Sequence, residues 1–259
     1  MTRPHGPRSG ERHVPGRPDP RRPATERPGP ERPACVSVHV WTVPTRAVGA
    51  ALGRMALDRV RLTRTPGARF AKLLGTGDGR TFTVRDADLR RWALLVAWSS
   101  TEAADAFAGS AVLRDWDRSA EHRTVLRLAP LTSRGRWSGR EPFGPSDPAA
   151  ARAHTGPVAS ITRARLRMHR APSFWRAVPP VSSDLNTVPG LRYATGIGEA
   201  PVGLQGTLSV WDSTQALTGF AHRRRPHLDV MNRTPEENWY VEELFARFAV
   251  LSAEGLDPA

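Results

Sequence analysis

Pro66-Gly67-Ala68-Arg69-Phe70-Ala71 is echoed by Pro189-Gly190-Leu191-Arg192-Tyr193-Ala194, and further along Trp98-Ser99-Ser100-Thr101 is echoed by Trp211-Asp212-Ser213-Thr214. Nine residues after each tryptophan stands Phe-Ala, at Phe107-Ala108 and Phe220-Ala221. Two motifs in the same order, one with an identical internal spacing, mark a duplicated unit. The distance from Pro-Gly to Trp is 32 residues in the first copy and 22 in the second, so the first carries an insertion of 10.

With two copies, each element can be read twice. Val36 to Val43 is β-branched and alternating, and Val158 to Leu166 holds the same place before its Pro-Gly, so both are expected as strands. Helical patterns follow over Thr45 to Val60 and Pro172 to Leu185, the second with Pro172 near its first turn. Strands are expected again at Arg69–Leu74 and Leu191–Ile197, then at Trp92–Trp98 and Leu204–Trp211. Ser99-x-x-Glu102 and Asp212-x-x-Gln215 read as capping boxes, whose side chains satisfy the orphan amides that open a helix. A last strand is expected near Thr124–Leu128 and Leu244–Leu251.

The order is βαββαβ, twice. Such a unit is the ferredoxin-like split βαβ, an antiparallel sheet with both helices on one face and a bare face that must be buried. The expected class is therefore α+β, with tandem ferredoxin-like units closing into a single-chain barrel of the dimeric α+β type. The boundaries follow: a disordered Arg/Pro-rich tail over 1–34, a first repeat over 35–131, a crossover over 132–156, a second repeat over 157–252 and a C-terminal tail over 253–259. Gly75-x-Gly77-x-Gly79 joins two strands and opens no helix, so it reads as a hairpin turn and not as a phosphate loop.

Composition sets the outer limits. The chain has 259 residues, enough for a real core, and one cysteine, Cys35, which excludes an internal disulfide framework. The most apolar run, Trp92 to Trp98, is far short of the roughly 20 residues that a helix needs to span a bilayer. The start shows no apolar leader, so a cytoplasmic protein is expected, with peripheral membrane contact as a route to an apolar substrate. The formal charge of +13 includes eight Arg and four acidic residues within 1–34, a segment too poor in apolar side chains to fold alone. Lys72 is the only lysine, and no nucleic-acid motif or basic-aromatic interleaving accompanies the arginines, so no nucleic-acid partner is expected.

Side-chain alternation then suggests a site. When Trp98 is set on Trp211, the residues Ala93, Leu95 and Ala97 fall on Gly206, Leu208 and Val210, and are expected to face the helices. The opposite set, Trp92, Leu94, Val96 and Trp98 against Gln205, Thr207, Ser209 and Trp211, is expected to line the barrel interior as a half-apolar, half-polar substrate pocket; a solvated face in the second copy is the alternative. By the same logic Ser37, His39 and Trp41 should point inward, and since a lone inward histidine is more often a hydrogen-bonded core residue than a ligand, His39 is a secondary ligand candidate. His222 and His227 are five residues apart with Pro226 between, so they are not an i,i+4 metal pair, and no zinc spacing, nucleophile elbow or Walker motif occurs. A single neutral imidazole nevertheless suffices to ligate a haem iron. Glu242 and Glu243 lie on opposite faces of a strand, and an inward one would pair with arginine.

Several stretches resemble a known family. Pro157-Val158-Ala159-Ser160-Ile161-Thr162-Arg163-Ala164, Phe174-Trp175-Arg176-Ala177-Val178-Pro179, Gly196-Ile197-Gly198-Glu199-Ala200-Pro201, Gln205 to Ser213 and Trp239 to Phe248 look like the signature stretches of spheroidene monooxygenase, a carotenoid-modifying oxygenase. In the first half, Lys72-Leu73-Leu74-Gly75-Thr76-Gly77 and Gly135-Arg136-Trp137-Ser138-Gly139-Arg140-Glu141-Pro142-Phe143 match more sparsely. The resemblance covers most of residues 36–252. It implies a haem-dependent enzyme that puts a keto oxygen on an acyclic carotenoid, with O2 and electrons from a ferredoxin-type donor. It also carries over His227 as the cofactor-binding residue and iron ligand, with His39 behind it, and offers Arg223, Arg224 and Arg225 to haem propionates, unless they form a solvated face. The alternative reading is a cofactor-free or non-enzymatic barrel that binds a hydrophobic small molecule.

Overall fold

The structure, a computed structural model, describes residues 31–77, 86–177, 188–199, 204–223, 237 and 239–256. The first repeat runs β1 (Cys35–Thr42), a 3-10 turn (Thr45–Ala47), α1 (Val48–Thr63), β2 (Ala68–Gly77), β3 (Ala87–Trp98), α2 (Thr101–Ala108), α3 (Ala111–Asp117) and β4 (His122–Gly135). After α4 (Pro148–Ala153) the second repeats the order: β5 (Val158–Leu166), a 3-10 turn (Met168–Arg170), α5 (Ala171–Ala177), β6 (Leu191–Gly198), β7 (Leu204–Trp211), α6 (Thr214–Arg223) and β8 (Tyr240–Glu254). The strands close into an antiparallel barrel in the order β1-β3-β2-β6-β7-β5-β8-β4. The expected tandem βαββαβ architecture is therefore what the chain adopts.

The duplicated motif has a shared structural cause. In each copy the Pro-Gly turn meets the start of the helix after the third strand: Gly67 C=O accepts from Ser99 N–H, and Gly190 C=O from Asp212 N–H, both at 2.8 Å. Both glycines hold positive φ, +74° and +84°, and each lies so near the helix that an added Cβ would come within 2.4 Å of Ala103 Cβ and 2.8 Å of Ala216 Cβ. The helix caps sit one residue later than the sequence suggests. Ser100 Oγ accepts from Ala103 N–H and Ser213 Oγ from Ala216 N–H, each at 3.2 Å, because the preceding Ser99 and Asp212 have their amides committed to the glycine carbonyls.

Other boundaries shift modestly. β4 and β8 are longer than expected and join the repeats in one long seam, Val125↔Glu254 to Gly135↔Leu244. The other seam has three pairs, Gly75↔Gly198, Thr76↔Ile197 and Gly77↔Gly196, which brings the glycines of both copies together. β2 and β3 pair as a hairpin, with the first copy's insertion between Pro66 and Trp98. Pro172 lies in the first turn of α5, and the rest of that expected helix falls outside the described residues. Most of the 1–34 tail also falls outside them. At its end Arg32 bonds Asp147 at 3.0 Å, Arg69 bonds Glu31 at 2.7 Å, and Ala34 N–H donates to Trp98 C=O, so residues 31–34 lie against the barrel.

The two faces of the strands are reversed relative to the sequence reading. One buried cluster draws on all eight strands and on no helix: it includes Val36, Val38, Val40, Ala93, Leu95, Ala97, Leu208 and Val210, and it is the barrel interior. Trp92, Leu94, Val96 and Trp98 instead cluster with Ala51, Leu62, Phe107, Leu113 and Trp116 of α1, α2 and α3. Trp41 joins this layer, and Ser37 and His39 share its face of β1. The physical reason is size. Side chains fill the interior of an eight-stranded barrel: on β1, β3 and β7 the smaller Ala, Val and Leu take that side, Phe70, Tyr193 and Phe248 with Trp137 and Phe143 of the crossover complete it, and the indoles of Trp92 and Trp98 go beneath the helices. The interior is a packed core and not the expected cavity.

Candidate functional site

The residues expected to form one lining are divided between separate layers, with β2 and β6 between them. In the first repeat Trp41 stacks on Trp116 at 5.1 Å, and Trp92 lies tilted 6.4 Å from Trp116. Trp98 Nε1 donates to Ser37 Oγ at 2.8 Å. In the second repeat Trp211 stacks on Phe220 of α6 at 5.5 Å and donates from Nε1 to Ser209 Oγ at 2.9 Å. Thr207 is half-buried on β7, and Gln205 stands opposite Ala164 in the register. The hydroxyl of Thr214, at the start of α6, is buried without a hydrogen-bond partner. This second layer thus combines aromatic surface with hydroxyl groups, and Thr214 at the start of α6 leaves its own unbonded.

His39 is sealed beneath the first repeat's helices, 6% exposed. Arg123 Nη2 lies 3.0 Å from its Nδ1. A guanidinium only donates, so Nδ1 is the acceptor and the ring proton is on Nε2. Arg123 also bonds Asp117 at 2.7 Å, and Asp117 accepts from Trp41 Nε1 at 2.7 Å, while His39 stacks on Trp41. Burial, then the charges of Arg123 and Arg127, push the imidazole's pKa down to about 3. A ligating histidine ordinarily donates its second ring nitrogen to a carbonyl or carboxylate. His39 instead accepts from a cation and keeps its proton on the other nitrogen, so its surroundings do not fit an iron ligand. His227 lies outside the described residues, and among those residues no group of three metal-ligating side chains occurs.

One buried constellation is absent from the sequence expectations. At the end of the barrel where β4 leads into the crossover, Arg163 of β5, 4% exposed, bonds Glu242 of β8 and, at 3.1 Å, Glu199 just after β6. Glu199 also accepts from Lys72 Nζ of β2 and from Trp137 Nε1, both at 2.5 Å. Lys72 Nζ donates further to Ser138 Oγ at 2.7 Å. Glu242 accepts the backbone N–H groups of Ser138 and Gly139 at 2.9 and 2.7 Å, at a turn where both residues have positive φ. The Arg163 guanidinium lies 5.6 Å from the Trp137 ring centroid. The inward Glu242 and its arginine partner match the sequence reading; the partner's identity needed the fold. Five of the stretches that carried the family resemblance each place one or more residues here.

The chemistry of this network is restrained. Burial raises the pKa of both carboxyls, but hydrogen bonds from Lys72 and Trp137 to Glu199, and from Gly139, Arg163 and Ser138 to Glu242, outweigh it and hold both below the usual carboxylate range. Two carboxylates matched by two cations have no proton to give near neutrality. The network therefore holds the crossover loop into the end of the barrel, where Trp137 and Phe143 complete the interior core.

The barrel itself defines a class. The fold is shared by two solved aldoxime dehydratases, one matching at a TM-score of 0.54 with 11% identity over 83% of this chain and 80% of that one, the other, a butyraldoxime complex, at 0.51 with 14% identity over 83% and 79%. No protein-family model matches the chain. Sequence relatives are more specific: spheroidene monooxygenase of Rhodobacter capsulatus is 36% identical over 79% of this chain and 84% of its own, and that of Rubrivivax gelatinosus 36% over 79% and 77%. The spheroidene monooxygenase of Cereibacter sphaeroides is 32% identical over 80% and 64%. The chain belongs to the spheroidene monooxygenase family and is an oxidoreductase of the monooxygenase type.

Proposed function

We propose that the chain is a haem-dependent monooxygenase that introduces a keto oxygen into an acyclic carotenoid, with O2 and electrons from a reduced ferredoxin-type donor. The observation that carries this reading is the 32–36% identity to spheroidene monooxygenases over both repeats. The second repeat's helix-facing layer supports it by its chemistry: Trp211 and Phe220 supply aromatic apolar surface there, and the Thr214 hydroxyl at the start of α6 has no hydrogen-bond partner. His227 is the proposed iron ligand, in a stretch that matches the family's pattern, with Arg223, Arg224 and Arg225 available to propionates. Haem, when bound, supplies the activation of O2; the chain's own part is to hold the polyene and keep water from it.

The test is the absorption spectrum of the protein as isolated and after reconstitution with haemin. A Soret band that His227→Ala abolishes and His39→Ala preserves is expected, together with O2-dependent oxidation of spheroidene. A protein with no Soret band after reconstitution that still oxidises spheroidene overturns the haem assignment in favour of a cofactor-free barrel. Binding of the polyene without turnover overturns the enzymatic reading.

A further inference from the structure

Helix α1 carries apolar side chains on two sides, Val48 and Met55 packing inward with the buried residues. Its inner side buries Ala51, Asp58 and Leu62. Its outer side exposes Leu52, Leu57 and Val60 at 51%, 63% and 55%, in one band with exposed Ala56. Gly49 and Gly53 stand in the same band, and a Cβ added to either would meet nothing within 4 Å. An apolar stripe at this spacing ordinarily faces a core. Here a second stripe faces outward from Leu52 to Val60, and exposed apolar surface grouped on a folded protein marks an interaction site.

Charge indicates what covers it. Exposed Arg46, Arg59 and Arg64 border the band, while Arg61 is taken up by Asp58 and Asp115; the only acid of α1, Asp58, is fully buried, bonded by Trp116 Nε1 and Arg61. A second copy docked on this face would oppose arginine with arginine. An anionic lipid surface offers the complementary charge, and an apolar boundary layer for the leucines and valine. We propose that the outer face of α1 docks the protein on anionic membranes, seating Leu52, Leu57 and Val60 at the headgroup boundary. This rests on the reading above that the substrate is a long apolar polyene, because such a molecule is dissolved in the bilayer and not in water.

The experiment is co-sedimentation of the full-length protein with vesicles of phosphatidylcholine mixed with phosphatidylglycerol, beside vesicles of phosphatidylcholine alone. The wild type is expected to bind the anionic vesicles. The variant L52S/L57S/V60S, altered only at exposed positions, is expected to bind about tenfold more weakly with an unchanged melting temperature. R46E/R64E is expected to lose the preference for anionic lipid. Equal binding by wild type and L52S/L57S/V60S overturns the proposal and assigns any vesicle affinity to the arginines of the tail. A dimer in solution that L52S/L57S/V60S abolishes also overturns it, assigning the face to a second copy. Turnover of spheroidene in detergent separates the two readings: activity there without vesicle binding removes the docking face alone, and vesicle binding without activity removes the enzymatic reading alone.

Discussion

His39 shows how a single buried residue ties stability to pH. Its imidazole is neutral in the folded protein down to a pKa of about 3, against 6.5 for the free side chain. Above pH 6.5 both folded and unfolded chains keep it neutral, and stability is unaffected. Below 6.5 the unfolded chain takes up a proton that the folded chain refuses, so stability falls by about 1.4 kcal/mol per pH unit until the folded pKa is reached. Urea midpoints measured between pH 7.5 and 5 are expected to drop on the acid side. His39→Gln, which keeps an acceptor for Arg123, is expected to remove most of that slope. A variant whose slope equals the wild type's would place the acid sensitivity elsewhere. Sequence alone left His39 between a hydrogen-bonded core residue and a secondary ligand candidate, because alternation places a histidine on a face and only the fold reveals the arginine on its Nδ1.

At the scale of elements, the paired Pro-Gly turns are the most decisive feature. Each glycine holds positive φ, which disfavours a side chain, against the first turn of a helix, where the close approach leaves no room for a Cβ. Gly67→Ala is expected to cost about 2–4 kcal/mol, from the left-handed backbone and the collision with Ala103 together. Gly139→Ala has a similar φ of +72° but open space around it, and is expected to cost only about 1 kcal/mol. Equal losses in denaturant melts would mean that backbone conformation, not the close approach, selects glycine. This explains why the element order could be read from the sequence, since a duplicated turn that docks a helix leaves the same residues in both copies. The direction of each strand's faces could not be read in that way. In the first repeat both faces are buried, so polarity separates nothing; the contrast between Ala93 or Ala97 and the indoles of Trp92 and Trp98 was the available signal, and it is one of volume.

Across the whole molecule, the barrel is closed by a long seam of β4 with β8 and by three residue pairs of β2 with β6. The short seam is reinforced by charge: Lys72 from the first repeat reaches Glu199 from the second, Arg163 joins Glu199 to Glu242, and the crossover adds Trp137, Ser138 and Gly139. No periodicity exposes such a network, because its members are spread from residue 72 to residue 242 and meet only when the barrel closes. Removing one member strands the others. Arg163→Met leaves the half-buried Glu242 without a cation and Glu199 with Lys72 alone, and is expected to cost about 3 kcal/mol. Because Glu199 is also held by Lys72 and Trp137, the loss should not stay in the second repeat: amide exchange is expected to quicken in β1–β4 as well as in β5–β8, and unfolding to remain one transition. Adding Glu242→Gln to Arg163→Met removes one of the stranded charges, so the double variant should cost less than the sum of the singles by about 0.5–3 kcal/mol. Strict additivity, or faster exchange confined to β5–β8, would show that the repeats hold together through the β4–β8 seam alone.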